Sequence, residues 1–179
     1  MIRNLINARP PPINTPDPEA LITTLAAAIK PHMTPETMFV GIHTGGVWLA
    51  ERLHDMLALS KALGTLDVTF YRDDFGSIGL HRDAKRSAIP FEVANKHIIL
   101  FDDVLYTGRT IRAAMNELFD YGRPASIRLA VLVDRDSREL PIAAQFTGTK
   151  FHVPDDEMLV LERSDAGTLT FKQQKKEPR

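Results

Sequence analysis

No cysteine occurs in the chain, so a disulfide framework and any cysteine-ligated zinc or iron–sulfur centre are excluded. A reducing, cytoplasmic setting is the expectation. An excess of one charge is also missing: 22 basic and 23 acidic residues leave a formal charge of -1, and the pI is near 6.6. Nothing global therefore draws the molecule to nucleic acid or to an anionic membrane, and any such contact has to come from a local patch. No apolar run approaches the roughly 20 residues of a membrane span, and no basic-then-apolar start marks a secretory leader. A soluble, unexported protein is expected. Histidines at 32, 43, 54, 81, 97 and 152 show no metal-ligand spacing. What the chain does have is length and apolarity, 179 residues at 44% hydrophobic, which suit one globular domain over 1–179 with a true core.

Residues 1–16 carry four of the twelve prolines and little periodicity, and read as an extended N-terminal arm. Asp17-Pro18 then supplies a cap and a first-turn proline, and Leu21, Ile22, Leu25, Ala28 and Ile29 form one apolar stripe ending at Pro31. Met38 to Ile42 reads as a strand, followed by His43-Thr44-Gly45-Gly46 and a helix with Leu49, Ala50, Leu53 and Leu57 on one face. Leu66 to Tyr71 is a further expected strand. Arg72 to Pro90 is polar and aperiodic, with the length of a lid. Ile98 to Phe101 is a fully apolar strand, and Ile111, Ala114, Met115, Leu118 and Phe119 follow helical spacing up to Gly122 and Pro124. Ile127 to Val133 is a third buried strand, with shorter β-prone pieces at Ala143 to Phe146, Met158 to Leu161 and Thr168 to Phe171. Lys172 to Arg179 reads as a basic, solvated tail. Apolar strands alternating with helices imply an α/β fold, a mainly parallel twisted sheet flanked by helices. Ligands of such sheets bind beyond the carboxyl ends of the strands, where both Gly/Thr turns fall.

Thr107-Gly108-Arg109-Thr110 opens a helix, so several unpaired N–H groups converge there with the positive end of the helix dipole, as a phosphate requires. Taken alone the tetrapeptide suits a plain helix cap equally well. Asp102-Asp103, at the expected end of the preceding strand, places two carboxylates that repel unless a cation or hydroxyls satisfy them. The acids and the cradle five residues on match the separation of hydroxyls and phosphate in a ribose 5-phosphate. His43-Thr44-Gly45-Gly46 is a second anion-sized turn, though a plain strand-to-helix turn has the same composition. Trp48 is read as a packing residue that could also stack on a base.

Phe101 to Thr110, Phe-Asp-Asp-Val-Leu-Tyr-Thr-Gly-Arg-Thr, resembles the phosphoribosyl pyrophosphate (PRPP) motif of type I phosphoribosyltransferases. Val40 to Gly46 with Leu49 to Leu53, the Tyr-Arg-Asp-Asp at 71–74, and Leu129 to Arg135 with Arg-Glu-Leu-Pro at 138–141 narrow the resemblance to the PyrR family of pyrimidine-operon regulators and uracil phosphoribosyltransferases. It spans about Leu21 to Leu161.

The resemblance implies a flexible hood and transfer of ribose 5-phosphate from PRPP to uracil, giving UMP and pyrophosphate with Mg²⁺ carried by PRPP. On it, Asp102 and Asp103 hold the ribose hydroxyls, and Asp103 is the catalytic candidate, as proton acceptor or as an electrostatic group. Thr107, Gly108, Arg109 and Thr110 hold the 5-phosphate, and His43, Thr44, Gly45 and Gly46 hold pyrophosphate. Arg135 and Arg138 are candidates for the base end, with surface ion pairs as the alternative. Arg72, Arg82, Lys85 and Arg86 belong to the hood. Many relatives carry arginine where this chain has Gly45, which removes a cation from the pyrophosphate turn. The family also implies a homo-oligomer, dimer or higher, and in its attenuator members an RNA hairpin contacted by an N-terminal helix. Residues 17 to 30 here offer only Lys30 as a cation, a poor supply of phosphate contacts. Two alternatives to the uracil enzyme are a UMP- or PRPP-sensing RNA attenuator with little catalysis and an enzyme for hypoxanthine or guanine.

Overall fold

The computed structural model describes residues 15–68 and 87–176. Their elements run α1 (Pro18–Ile29), β1 (Thr37–Ile42), α2 (Gly45–Met56), β2 (Gly64–Leu66), β3 (His97–Leu105), α3 (Arg109–Asp120), β4 (Ser126–Asp134), β5 (Phe146–Lys150), β6 (Glu157–Arg163) and β7 (Leu169–Lys175). Helix α1 begins as its sequence dictates: Asp17 accepts a 3.0 Å hydrogen bond from the Glu19 N–H, and Pro18 fills a position whose N–H would be unpaired. Pro31 has no N–H to extend the ladder, and the chain tightens into a 3₁₀ turn over Lys30–His32.

Strands β1, β3 and β4 are apolar on both sides because they form the middle of a parallel five-stranded sheet, ordered β2-β1-β3-β4-β5. Val40 pairs with Leu100, and Leu100 with Leu129. Side chains alternate between two cores. Phe39, Ile99, Phe101 and Leu132 pack with Ile22, Leu25, Leu49 and Leu53 beneath α1 and α2, the rings of Phe39 and Phe101 lying 4.7 Å apart. Val40, Ile98, Leu100 and Val131 pack with Ile111, Ala114 and Leu118 of α3 on the other face. Each such fully buried side chain contributes about 1.5–3 kcal/mol. The chain leaves β1 toward β2 on one side and toward β3 on the other, so the order reverses between β1 and β3, the position at which such sheets hold ligands.

Several expected boundaries shift. β2 begins earlier than expected, at Gly64, and its ladder with β1 runs from Val40↔Gly64 to Ile42↔Leu66; residues 69–71 of the expected strand lie outside the described residues. The edge piece near 143–146 becomes strand only from Phe146, where pairing with Ala130 begins. Lys172 to Lys175 is not a solvated tail: these residues continue β7, which pairs antiparallel with β6. Leu159, Leu161, Leu169 and Phe171 of this hairpin join the core under α1. Of the N-terminal arm, Thr15 is described, and its hydroxyl donates to the Phe171 carbonyl at 3.3 Å. Of the expected lid, residues 87–90 return along β2, Ala88 pairing antiparallel with Thr65. Arg72, Arg82, Lys85 and Arg86 lie outside the described residues.

Candidate active site

Pairing of β3 with β1 ends at Gly41↔Phe101, whereas pairing with β4 continues to Leu105↔Asp134. Asp102 and Asp103 therefore lie inside β3, past the last residue opposed by β1, and not at the strand's end. This changes their relation, since successive residues of a strand project to opposite faces. Asp102, 4% exposed, borders a hollow of about 30 Å³ with Tyr106, Thr107, Gly108 and Thr110. Asp103, 9% exposed, lies on the α2 side: a Cβ built on Gly45 would stand 2.5 Å from its Cγ. The two acids thus lie beside two different turns, one on each face of the sheet.

The first turn follows β1. The His43 N–H donates to the Leu66 carbonyl at 2.8 Å, the His43–Thr44 peptide is cis, and α2 begins at Gly45 with the Trp48 N–H donating to the Thr44 carbonyl at 3.3 Å. The Thr44 hydroxyl makes no capping bond. Glycine is needed at 46 because a Cβ there would fall 2.2 Å from the Phe101 carbonyl oxygen. The first turn of α2 thus lies directly on the backbone of β3. Trp48 packs half-buried against the core with the Arg163 guanidinium 4.9 Å from its ring, as a packing residue.

The second turn follows β3. Gly108, at φ +95°, caps α3, and its carbonyl accepts the Arg112 N–H at 3.0 Å. Thr107 is one residue too early to be the cap, although its hydroxyl accepts the Arg109 N–H at 3.3 Å. The Arg109 guanidinium turns toward Glu139, donating from Nε at 2.9 Å and from Nη2 at 2.6 Å. The loop's carbonyls are bound by the segment after β4. That of Leu105 accepts the Arg135 N–H at 3.0 Å, and that of Tyr106 accepts Nη1 of Arg138 at 2.7 Å. That of Thr107 accepts the N–H groups of Glu139 and Leu140 at 3.0 and 3.1 Å.

Arg135 is bound by main-chain carbonyls, and Arg138 by main-chain carbonyls together with a largely buried ion pair to Asp134. The Arg135 side chain, 4% exposed, donates to the carbonyls of Val153, Pro154 and Glu157 and lies 4.0 Å over the Tyr106 ring. Burial pulls its pKa below arginine's ordinary value, opposed by the neighbouring Tyr106 and Asp155. Arg138 also donates to the Ile142 carbonyl at 3.1 Å and pairs with Asp134. Tyr106 and Glu139 are the residues that sequence reasoning passed over; Arg-Glu-Leu-Pro served there only as a family signature. Among the described residues no group of three or more His, Asp or Glu side chains is arranged to hold a metal. A second hollow of about 50 Å³, near His32, His97 and Arg128, is at the amino edge of the sheet, away from both turns.

A phosphoribosyl transferase domain is matched by residues 14–158. In fold, the chain is similar to a hypoxanthine phosphoribosyltransferase of Staphylococcus aureus, at TM-score 0.60 and 22% identity with 80% of this chain and 78% of that one covered. A purine phosphoribosyltransferase of Pyrococcus horikoshii aligns at TM-score 0.56 and 20% identity, over 75% and 82% of the two chains. In sequence, it is similar to the bifunctional protein PyrR of Pseudomonas aeruginosa strain LESB58, 48% identical over 153 residues, covering 83% of this chain and 90% of that one. PyrR of Nitrosococcus oceani is likewise 48% identical over 164 residues, 86% of this chain and 93% of its own. With a type I phosphoribosyltransferase fold and identity at this level over most of its length, the chain belongs to the PyrR family.

Proposed function

We propose that the protein is a uracil phosphoribosyltransferase, transferring ribose 5-phosphate from PRPP to N1 of uracil with release of pyrophosphate. The observation that carries this reading is the pair of buried acids between two glycine turns at the strand-order reversal, in a chain 48% identical to PyrR proteins. The purine enzymes that share the fold are too distant in sequence to argue for a purine.

Breaking the bond at C1 builds positive charge on the ribose ring and negative charge on the departing pyrophosphate. Asp102, beside the phosphate loop, is suited to the ribose hydroxyls. Asp103 is suited to the cationic carbon and to the proton leaving uracil N1. Thr107 to Thr110 would hold the 5-phosphate and His43 to Gly46 the pyrophosphate. Asp103 stands against a pyrophosphate turn that has glycine at 45, so a carboxylate and an anion would meet there with no arginine at that position. Carboxylate oxygens in that setting suit a hard divalent cation, and Mg²⁺ brought by PRPP would neutralise charge on the leaving group.

The test is UMP formation from labelled uracil and PRPP with and without Mg²⁺, alongside hypoxanthine and guanine. Uracil-selective turnover that chelation abolishes is expected, and Asp102→Asn with Asp103→Asn should remove it without unfolding the chain. Turnover with a purine instead ends the uracil assignment. The relatives are named bifunctional, which leaves a second role in pyrimidine regulation open to test, with residues 17 to 30 poorly supplied with cations for RNA. A gel shift of the operon leader at physiological salt, with and without UMP, decides whether this chain shares it.

A further inference from the structure

The Arg-Asp-Ser-Arg-Glu-Leu stretch at 135–140 binds three consecutive carbonyls of the phosphate loop, those of Leu105, Tyr106 and Thr107. In a trans peptide the carbonyl of one residue and the N–H of the next point in opposite directions. With these three oxygens turned toward 135–140, the N–H groups of Tyr106, Thr107 and Gly108 are turned away from it. Thr107 and Gly108 are also residues that border the hollow shared with Asp102.

One side chain does much of this. Arg138 donates Nη1 to Tyr106 at 2.7 Å and to Leu105 at 3.4 Å, donates Nε to Ile142 at 3.1 Å, and pairs Nη2 with Asp134. Only the rigid, planar fork of a guanidinium reaches four groups in those directions; a lysine ammonium has three donors on a flexible stem. Nε and Nη1 are thus turned to main-chain carbonyls, that of Ser137 at 3.3 Å among them, and Nη2 to Asp134. The Tyr106 ring is gripped as well, lying under the Arg135 guanidinium at 4.0 Å and the Lys176 ammonium at 4.8 Å.

We infer that Arg138 is a positioning residue of the 5-phosphate loop, orienting its amides for the ribose phosphate, and is not a contact to the base. The inference rests on the phosphoribosyltransferase reading of the site. Arg138→Lys and Arg138→Met, made in the full chain, should raise KM for PRPP about tenfold or more while leaving KM for uracil and base selectivity unchanged. Ribose 5-phosphate binding by calorimetry should weaken in parallel, and the Thr107 and Gly108 amide resonances should move. Lysine should retain more affinity than methionine. If Arg138→Met does not fold, Arg138→Lys alone decides the matter.

A rise in KM for uracil, or relaxed base choice, with PRPP affinity intact would overturn the inference and return Arg138 to the base. Equal ribose 5-phosphate binding by wild type and Arg138→Lys would overturn it while leaving the enzyme assignment standing. Wild-type protein that binds no ribose 5-phosphate and turns over no PRPP would overturn both.

Discussion

A methyl group at position 45 would stand 2.5 Å from Asp103 Cγ and 2.6 Å from its Oδ2. Space that an arginine side chain would need at its root is filled here by the carboxylate. Introducing at 45 the arginine that the family resemblance leads one to expect should therefore harm this chain, because Asp103 must first rotate away from the turn. Gly45→Arg, and Gly45→Ala as the minimal version, are expected to lower turnover about tenfold or more, since sub-ångström placement of reacting groups carries that much of the barrier. Steady-state kinetics together with a crystal structure showing the Asp103 rotamer would check it; faster turnover in Gly45→Arg would refute the steric account. The two acids and the two turns were legible in the sequence, as an apolar run broken by Asp-Asp and Thr-Gly. Their division between opposite faces was not, because it depends on β3 outrunning β1 by pairing with β4, and a partner strand's length is not written in the strand itself. The same holds for Arg135 and Arg138, whose partners are main-chain carbonyls supplied by the fold.

Elements with a strong local signal appear where the pattern puts them. Helix α1 has its cap, its proline and its stripe, and Asp17→Ala should cost about 1 kcal/mol, read as a lower urea midpoint with unchanged slope. The C-terminal hairpin had a weak signal: Lys172, Lys175 and Lys176 made it look solvated. Yet Leu169 and Phe171 alternate with polar residues and are buried, and Lys172 reaches Glu162 across the hairpin at 3.5 Å. Lys172 lies on the outer face of a strand whose inner-face Leu169 and Phe171 complete the core. Phe171→Ala should accordingly destabilise the protein by about 3–5 kcal/mol, a core-sized loss. A change within 0.5 kcal/mol would show that the hairpin is an appendage.

At the scale of the molecule, Phe119 and Tyr121 at the end of α3 and Met56 at the end of α2 remain 54%, 44% and 50% exposed. Single exposed apolar side chains are ordinary, so these do not define an interface, and the expected homo-oligomer rests on family membership. Light scattering at micromolar concentration should give the mass of a dimer or a larger assembly; a monomer would set this chain apart.

The first helix is completed by the last strand. Glu19 of α1 accepts the Leu169 N–H at 3.3 Å, Thr15 reaches the Phe171 carbonyl, and the α1 stripe shares its core with Phe146, Leu169 and Phe171. During synthesis, at about 5–20 residues per second, α1 leaves the ribosome roughly 8–30 s before these partners exist. Until then its apolar stripe has only part of its eventual cover, so α1 is a segment through which the nascent chain is exposed to chaperones and to aggregation. A message truncated before codon 169 would release a chain whose five-stranded sheet is complete and whose α1 lacks Leu169 and Phe171 from its cover.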